Sequence, residues 1–256
     1  MTRKLVLMGS GENSPAMVTP HQNVIKKLGK NSVRINLDTP YGFQENAAEM
    51  SAKILGYFEK NVGFPIVDVH LRHKHHDQAA ALEEIDKADW VFSGPGSPTY
   101  ALKVWSDSGA VPKFTSVLDR GSIVMASAAA MTMGAKTMPV YEMYKVGDEP
   151  FWLEGLNVLE HATGIRATVI AHYNNTQGGT HDTRFCFIGE SRMKALEAML
   201  DESTGILGID EHTGISFDLD TKSVEVIGKS EVTYRLNGQE KKFVPKTSYT
   251  IADFAF

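Results

Sequence analysis

The chain has 256 residues, 22% of them charged, and a net charge of −5. This length is sufficient for a sizeable core within one α/β domain, so we expect a single domain over residues 1–256. The charge balance argues against a broad basic face for nucleic acid, and the lone Cys186 excludes an intramolecular disulfide and is typical of a reducing compartment.

The first predicted strand is the apolar run Leu5–Met8, which follows two basic residues. Four apolar residues are too few for a signal peptide core or a membrane span, so the interpretation is a cytoplasmic protein with no membrane partner. The loop that follows, Gly9 to Glu12, resembles a dinucleotide fingerprint only weakly, because it lacks the third glycine. No cofactor is expected.

Apolar runs of strand length then alternate with helical patterns. Such alternation implies right-handed crossovers and a mainly parallel sheet, with functional loops at the carboxyl ends of the strands. The predicted strands of this half are 33–37, 65–69 and 90–92, and the clearest helix is 46–58.

A histidine-rich run, residues 70–77, contains His70, His73, His75, His76 and Asp77. These residue types bind zinc, but Arg72 and Lys74 are interleaved with them and would repel a cation. A solvated loop is therefore the favoured interpretation, and no metal site is expected.

The most informative segment is 121–134, where a buried strand over 123–125 runs into a helix of small residues with Ser127 at the junction. A sharp strand-to-helix turn would expose the Ser127 hydroxyl and direct the N–H of Ala128 at a developing oxyanion. The plain alternative is a buried junction at which the serine only caps the helix.

The last third of the chain changes to period-2 patterns. After a short strand at 206–209, the runs 215–217, 224–227, 232–234 and 242–244 predict an antiparallel extension over 212–256, with a hairpin turn at 236–239.

Taken in order, four motifs resemble the serine peptidases of the dipeptidase E and cyanophycinase type: Leu-Met-Gly-Ser-Gly-Glu12, Phe-Ser-Gly-Pro-Gly-Ser-Pro98, Ala-Ser127-Ala-Ala-Ala and Gly-Ile-Asp-Glu211. The resemblance covers about residues 5–228. It implies a three-layer α/β sandwich of the class I glutamine-amidotransferase-like, flavodoxin-like kind. Met125 and Ala129 depart from it, since both positions are usually glycine in this family.

The resemblance also implies roles for particular residues. His172, at the end of an apolar run, is the expected base for Ser127, and His181 is its competitor. Glu142, fifteen positions after the serine, is the favoured third member, and Glu211 is the second choice. The N–H groups of Gly96 and Ala128 form the expected oxyanion hole.

The sequence therefore predicts a serine hydrolase that cleaves a peptide or amide bond of a small, acidic substrate through an acyl-enzyme. Arg184 and Lys136 are the candidate partners of the substrate carboxylate, and a homodimer is left open. Two alternatives remain: a binding protein that has lost catalysis, which the departures at Met125 and Ala129 favour, and a glutaminase-like amidase, which would need a cysteine where Ser127 stands. Cys186 is instead expected to be a buried core thiol.

Overall fold

The computed structural model describes residues 3–73 and 78–256. The strands in these ranges are β1 (Lys4–Met8), β2 (Arg34–Leu37), β3 (Val67–Val69), β4 (Trp90–Ser93), β5 (Ser122–Ala126), β6 (Lys136–Thr137), β7 (Leu153–Glu154), β8 (Ala167–Ile170), β9 (Gly205–Ile209), β10 (Thr213–Asp218), β11 (Ser223–Gly228), β12 (Val232–Leu236), β13 (Gln239–Phe243) and β14 (Tyr249–Thr250).

The α-helices of the described residues are α1 (Val18–Ile25), α2 (Ala47–Tyr57), α3 (Gln78–Lys87), α4 (Pro98–Ser108), α5 (Ala110–Leu118), α6 (Ala128–Met131), α7 (Val158–Thr163) and α8 (Gly189–Glu197). Short 3₁₀ segments cover Pro15–Met17 and Ile251–Phe254, and π-helices cover Phe58–Val62 and Glu142–Val146. None of the described helices is long and apolar enough to cross a membrane.

The main sheet has eight strands in the order β14-β11-β10-β1-β5-β4-β2-β3. The five strands from β1 to β3 in this order run parallel, whereas β10, β11 and β14 add to the β1 edge in antiparallel fashion. The mixed α/β class with a mainly parallel central part is therefore confirmed. Because β5 lies between β1 and β4, the loops after all three strands meet at one edge of the sheet.

The predicted antiparallel extension divides between two sheets. While β10, β11 and β14 extend the main sheet, β12 and β13 join a second sheet in the order β13-β12-β9-β8, in which β8 and β9 are parallel. The hairpin turn lies where it was predicted, with Leu236 paired to Gln239 and with Asn237 and Gly238 both at positive φ. This is the type I′ arrangement that an Asn-Gly pair favours.

Strand alternation sends the side chains of the main sheet into two separate cores. Ile123 and Met125 of β5 lie in the larger core with helices α4, α5 and α7, while Val124 and Ala126 face the core of α1 and α2. A third cluster fills the space near the end of β8, and its members include Met131, Met138, Val140 and Cys186. The fold thus supplies apolar support on both sides of the strand that leads to Ser127.

Candidate active site

Ser127 lies at a strained turn between β5 and α6. Its φ of 50° and ψ of −118° fall outside the regions that ordinary L-residues adopt. The Ser127 N–H donates to the carbonyl of Met8 at 2.9 Å, which ties the turn to the end of β1. The positive φ expected for a nucleophile elbow is confirmed.

Met125 and Ala129, the two departures from the usual glycines, are both fully buried. Met125 packs in the larger core rather than over the serine, and the Ala129 N–H donates to the carbonyl of Gly94 at 3.3 Å. Ser127 remains partly exposed and lines a cavity. The larger side chains are therefore accommodated without burying the hydroxyl.

His172 follows β8 of the second sheet and contacts Ser127, which follows β5 of the main sheet. Its Nε2 is 2.9 Å from the Ser127 Oγ, and its Nδ1 is 3.0 Å from Oε1 of Glu211. With the proton on Nδ1, the ring donates to the carboxylate and leaves Nε2 free to accept from the serine hydroxyl. The geometric prediction that His172 rather than His181 reaches Ser127 is confirmed.

Glu211 is the second residue after β9, and two asparagine side chains hydrogen-bond to it. Asn175 donates from Nδ2 to Glu211 Oε1 at 2.8 Å, and the Glu211 N–H donates to the side-chain oxygen of Asn174, also at 2.8 Å. Partial burial acts to raise the pKa of Glu211, but the hydrogen bonds from His172 and Asn175 outweigh it, and the pKa lies below its ordinary value. The carboxylate is thus kept ionised beside the imidazole.

Glu142, the favoured third member, does not contact His172. It begins the π-helix Glu142–Val146, and its Oε2 accepts from the Thr99 hydroxyl at 3.0 Å. Its side chain is therefore turned towards α4, and Glu211 occupies the place beside His172 that was expected for Glu142. This corrects the predicted arrangement.

His181 and Arg184 lie in the segment after Asn175 and do not line the cavity. His181 is exposed, and Arg184 pairs with Asp182 and Glu190, both at about 3 Å. Lys136, the other predicted carboxylate partner, pairs with Glu154 on the β6–β7 ribbon. Neither predicted cation is placed to hold a substrate carboxylate at Ser127.

Gly96 lines the same cavity as Ser127 and has a φ of 145°, and a Cβ there would overlap the carbonyl oxygen of Pro40. The Ser97 N–H already donates to that carbonyl at 2.8 Å, and Pro95 has no N–H. The N–H of Gly96 therefore remains the candidate donor of this loop, together with that of Ala128, the residue after Ser127.

We expect Gly96→Ala to lower kcat/KM by about 10²- to 10³-fold, because the added methyl group displaces the loop that carries the candidate donor. Gly56→Ala is the matched control, since a Cβ at Gly56 meets nothing within 4 Å. Steady-state kinetics and thermal unfolding of both variants test this, and wild-type kinetics in Gly96→Ala would contradict the role of the loop.

A cavity of about 260 Å³ opens in front of the serine. Its lining includes Ser127, His172, Gly96, Ala128 and an exposed cation, Lys145. The other lining residues are Pro98, Met131, Val140, Tyr141, Tyr144, Cys186 and Phe187.

The family model for peptidase family S51 matches residues 5–224, which is most of the chain. The chain belongs to peptidase family S51. This is the dipeptidase E family, so the family named from the sequence is confirmed and peptidase activity is supported. No curated protein matches the chain.

Two solved structures share the S51 fold with this chain. A peptidase from an acI-B1 Actinobacterium has a TM-score of 0.78 at 21% identity, covering 98% of this chain and 97% of that one. A putative peptidase E protein from Listeria monocytogenes EGD-e has a TM-score of 0.53 at 15% identity, covering 92% and 99%. At these identities the likeness concerns the fold alone.

The Gly9–Glu12 loop of this S51 chain packs against the segment that carries Glu211. A Cβ at Gly9 would overlap the backbone oxygens of Ile209 and Asp210, and the Ser10 hydroxyl accepts from the His212 N–H at 3.2 Å. Gly9 therefore permits close backbone packing beside the site. This packing accounts for the glycine that gives the loop its weak resemblance to a dinucleotide fingerprint.

Cys186 is buried on the cavity wall, and burial together with the nearby negative charge of Glu211 raises the pKa of its thiol to about 12. Residues 184–188, which the sequence presents as an alternating apolar run, form a left-handed turn with positive φ at Phe185, Cys186 and Phe187. The Cys186 N–H donates to the carbonyl of His172 at 3.2 Å. The turn thus braces the histidine, a role that the sequence pattern did not indicate.

Cys186→Ala should leave kcat within about twofold of wild type, because the bracing bond comes from the backbone and a protonated thiol is a poor nucleophile. A stability loss of about 1 kcal/mol is expected from the smaller buried side chain. Rapid inactivation of the native protein by iodoacetamide, absent from the variant, would contradict this assignment.

The histidine-rich run falls partly outside the described residues, which exclude Lys74, His75, His76 and Asp77. His70 Nδ1 lies 2.8 Å from Oδ2 of the fully buried Asp38, and Arg72 contacts the same oxygen. Ligand atoms of Asp38, Asp68 and His70 lie within 4.8 Å of one another, and the Arg72 guanidinium pairs with Asp38 of this group. The contacts fit an ion-pair network at the ends of β2 and β3.

Asn175 is the functional-site residue that sequence reasoning missed. It lies three positions after His172 and donates to the carboxylate that contacts the same histidine. Its side-chain oxygen accepts from the Gln177 N–H at 3.0 Å, so the amide is held in one orientation. The signal available in the sequence was an asparagine side chain close behind the predicted strand that ends at His172.

Proposed function

We propose that this S51 member is a serine hydrolase that cleaves a peptide or amide bond of a small substrate through an acyl-enzyme. The observation that supports it most strongly is the hydrogen-bonded series from Ser127 through His172 to Glu211. Its first member, Ser127, has a strained backbone and lines a cavity.

In the proposed reaction His172 Nε2 removes the hydroxyl proton as the Ser127 Oγ attacks the carbonyl carbon. The carbonyl oxygen becomes an oxyanion, which the N–H groups of Ala128 and Gly96 stabilise. Glu211 keeps the imidazole in the tautomer that accepts at Nε2 and stabilises the imidazolium that forms.

Collapse of the tetrahedral intermediate breaks the carbon–nitrogen bond, and His172 returns its proton to the leaving amine. A water molecule then attacks the serine ester with His172 again acting as the base. The product acid leaves, and the Ser127 hydroxyl is restored.

The decisive test of the chemistry is labelling with a fluorophosphonate, which reacts with activated serines. Wild-type protein should acquire one adduct at Ser127, located by peptide mass spectrometry, and His172→Ala should prevent it. A native protein that remains unlabelled would favour the alternative of a binding protein that keeps the fold.

The resemblance extends the proposal to substrates with an acidic residue beside the scissile bond. Among the residues lining the cavity, Lys145 supplies the ammonium group for such a carboxylate, and its Nζ lies 4.6 Å from the centre of the Tyr144 ring. Because Lys145 is exposed, solvent screens the interaction and its contribution is modest.

Lys145→Gln should therefore raise KM for a carboxylate-bearing peptide by about two- to fivefold and leave kcat nearly unchanged. Lys103→Gln is the control, since Lys103 is an equally exposed lysine on α4 that does not line the cavity. Equal kinetics of the two variants on this peptide would remove Lys145 from substrate binding.

A further inference from the structure

Glu12 carries a buried carboxyl group that the proposed reaction does not use. It is only 7% exposed, and it is the fourth residue after β1. A Cβ at Gly94, the first residue after β4, would lie 3.6 Å from Glu12 Oε1. Because β5 lies between β1 and β4 in the sheet, this contact reaches across the carboxyl end of β5, which Ser127 follows. Glu12 therefore connects the loops on either side of the proposed nucleophile.

Each of these two loops supports part of the candidate active site. The loop after β4 runs from Gly94 to Gly96, whose N–H is a candidate oxyanion donor. The loop over residues 9–12 packs against residues 209–212, the segment that carries Glu211. A displaced Glu12 side chain would therefore disturb the oxyanion donor and the supporting carboxylate together.

Among the described residues, the groups that act on the Glu12 carboxyl include no lysine or arginine. Burial raises its pKa, and the groups that oppose this rise are its own N–H and the imidazoles of His172 and His212. On the side of α1 and α2, His21 Nε2 donates to the Glu12 carbonyl oxygen at 2.8 Å, and burial lowers the pKa of His21 to about 4. Burial and the charge of Glu12 raise the pKa of Tyr57 to about 12, so this hydroxyl also stays neutral. These surroundings favour the uncharged acid.

We propose, on the basis of the proposed function, that Glu12 is a positioning residue that works as a neutral carboxylic acid. In this form its side chain lies against Gly94 and keeps both site loops in place. Loss of the proton would leave a buried charge without a permanent partner, which is costly unless the side chain turns to solvent or water enters. Either change displaces the loop that carries Gly96, so ionisation of Glu12 lowers the reactivity of Ser127.

The proposed role gives the pH dependence a defined sign. The Glu12 carboxyl is neutral at low pH and ionises as the pH rises, so the reactivity of Ser127 should fall on the alkaline side. Because the pKa is raised above its ordinary value of 4.5, the folded protein holds a proton that the unfolded chain releases. The stability that this proton contributes is fully present below pH 4.5 and is lost as the pH rises through the pKa of the folded state.

Glu12→Gln tests this role, because glutamine has nearly the same shape and cannot ionise. The rate of fluorophosphonate labelling at Ser127 is measured between pH 5 and pH 9 in wild type and variant, since the reagent has no group that titrates in this range. The two rates should agree within about twofold at pH 5, and the ratio of variant to wild type should rise at least about tenfold by pH 9. Taking the ratio removes the pH dependence of the other groups that both proteins share.

Glu45→Gln is the matched control, because it makes the same chemical change at an exposed glutamate just before α2. Its labelling ratio should stay constant over the same pH range. Thermal unfolding supplies a readout that needs no catalysis. The difference in Tm between Glu12→Gln and wild type should widen by about 2–4 °C for each pH unit above pH 5 until Glu12 ionises. A role that only fills space would change Tm equally at every pH.

Failure of the inference can be distinguished from failure of the proposed function. If wild-type protein is labelled at Ser127 but the ratio is constant with pH, or if Glu12→Gln is unreactive at every pH, the role of Glu12 is overturned alone. Should Glu12→Gln not fold, Glu12→Met supplies the same comparison with another uncharged side chain. Wild-type protein that is labelled at no pH overturns the proposed function and the inference together.

Discussion

Ser127→Ala is expected to reduce peptide or amide hydrolysis by at least about 10⁴-fold, because it removes the nucleophile while leaving the rest of the site in place. The change deletes one hydroxyl at a turn already flanked by alanines, so the fold should survive. Turnover is measured on purified protein with a panel of dipeptides, and the unfolding midpoint is compared with that of wild type.

The control for this variant is Ser116→Ala, which removes a hydroxyl on α5, away from the cavity. It should keep wild-type turnover. Retention of more than a few per cent of activity by Ser127→Ala, in a preparation free of contaminating peptidase, would exclude Ser127 as the nucleophile.

Local pattern predicted the elements that surround this serine. The apolar run 123–125 followed by small residues has few solutions other than a strand entering a tight turn, and the structure places Ser127 there at positive φ. The hairpin at 236–239 was equally well specified, since an Asn-Gly pair suits the two left-handed positions of its turn.

The third member of the catalytic group was harder to predict, because its position depends on contacts between distant parts of the chain. Glu142 was favoured on its spacing from the serine, yet the π-helix that begins there turns its carboxylate to Thr99. Glu211 reaches His172 because β8 and β9 are parallel neighbours, so that the residues after both strands meet. The spacing of residues along the sequence does not reveal which strands pair in the sheet.

The left-handed turn at 185–187 was not predicted for a related reason. Left-handed backbone costs roughly 1–2 kcal/mol per non-glycine residue, so no local preference favours it at Phe-Cys-Phe. Tertiary contacts impose it instead, since the Phe185 and Cys186 N–H groups donate to the carbonyls of Tyr173 and His172. The same contacts fix the backbone of the proposed base.

Glu211→Gln is expected to lower kcat by about 10³- to 10⁴-fold, because a neutral amide no longer favours the His172 tautomer that accepts at Nε2 and no longer stabilises the imidazolium. KM should change little, since Glu211 contacts the histidine and Asn175 and does not line the cavity. Steady-state kinetics on the dipeptide that wild-type protein hydrolyses fastest separate the two parameters.

Glu142→Gln is the matched comparison, being the same chemical change at the carboxylate that the sequence favoured. It should stay within about threefold of wild-type kcat, because an amide oxygen can still accept from the Thr99 hydroxyl. Fluorophosphonate labelling should follow the same order, slow in Glu211→Gln and normal in Glu142→Gln. The reverse order would assign the supporting carboxylate to Glu142 and would require the π-helix to rearrange when substrate binds.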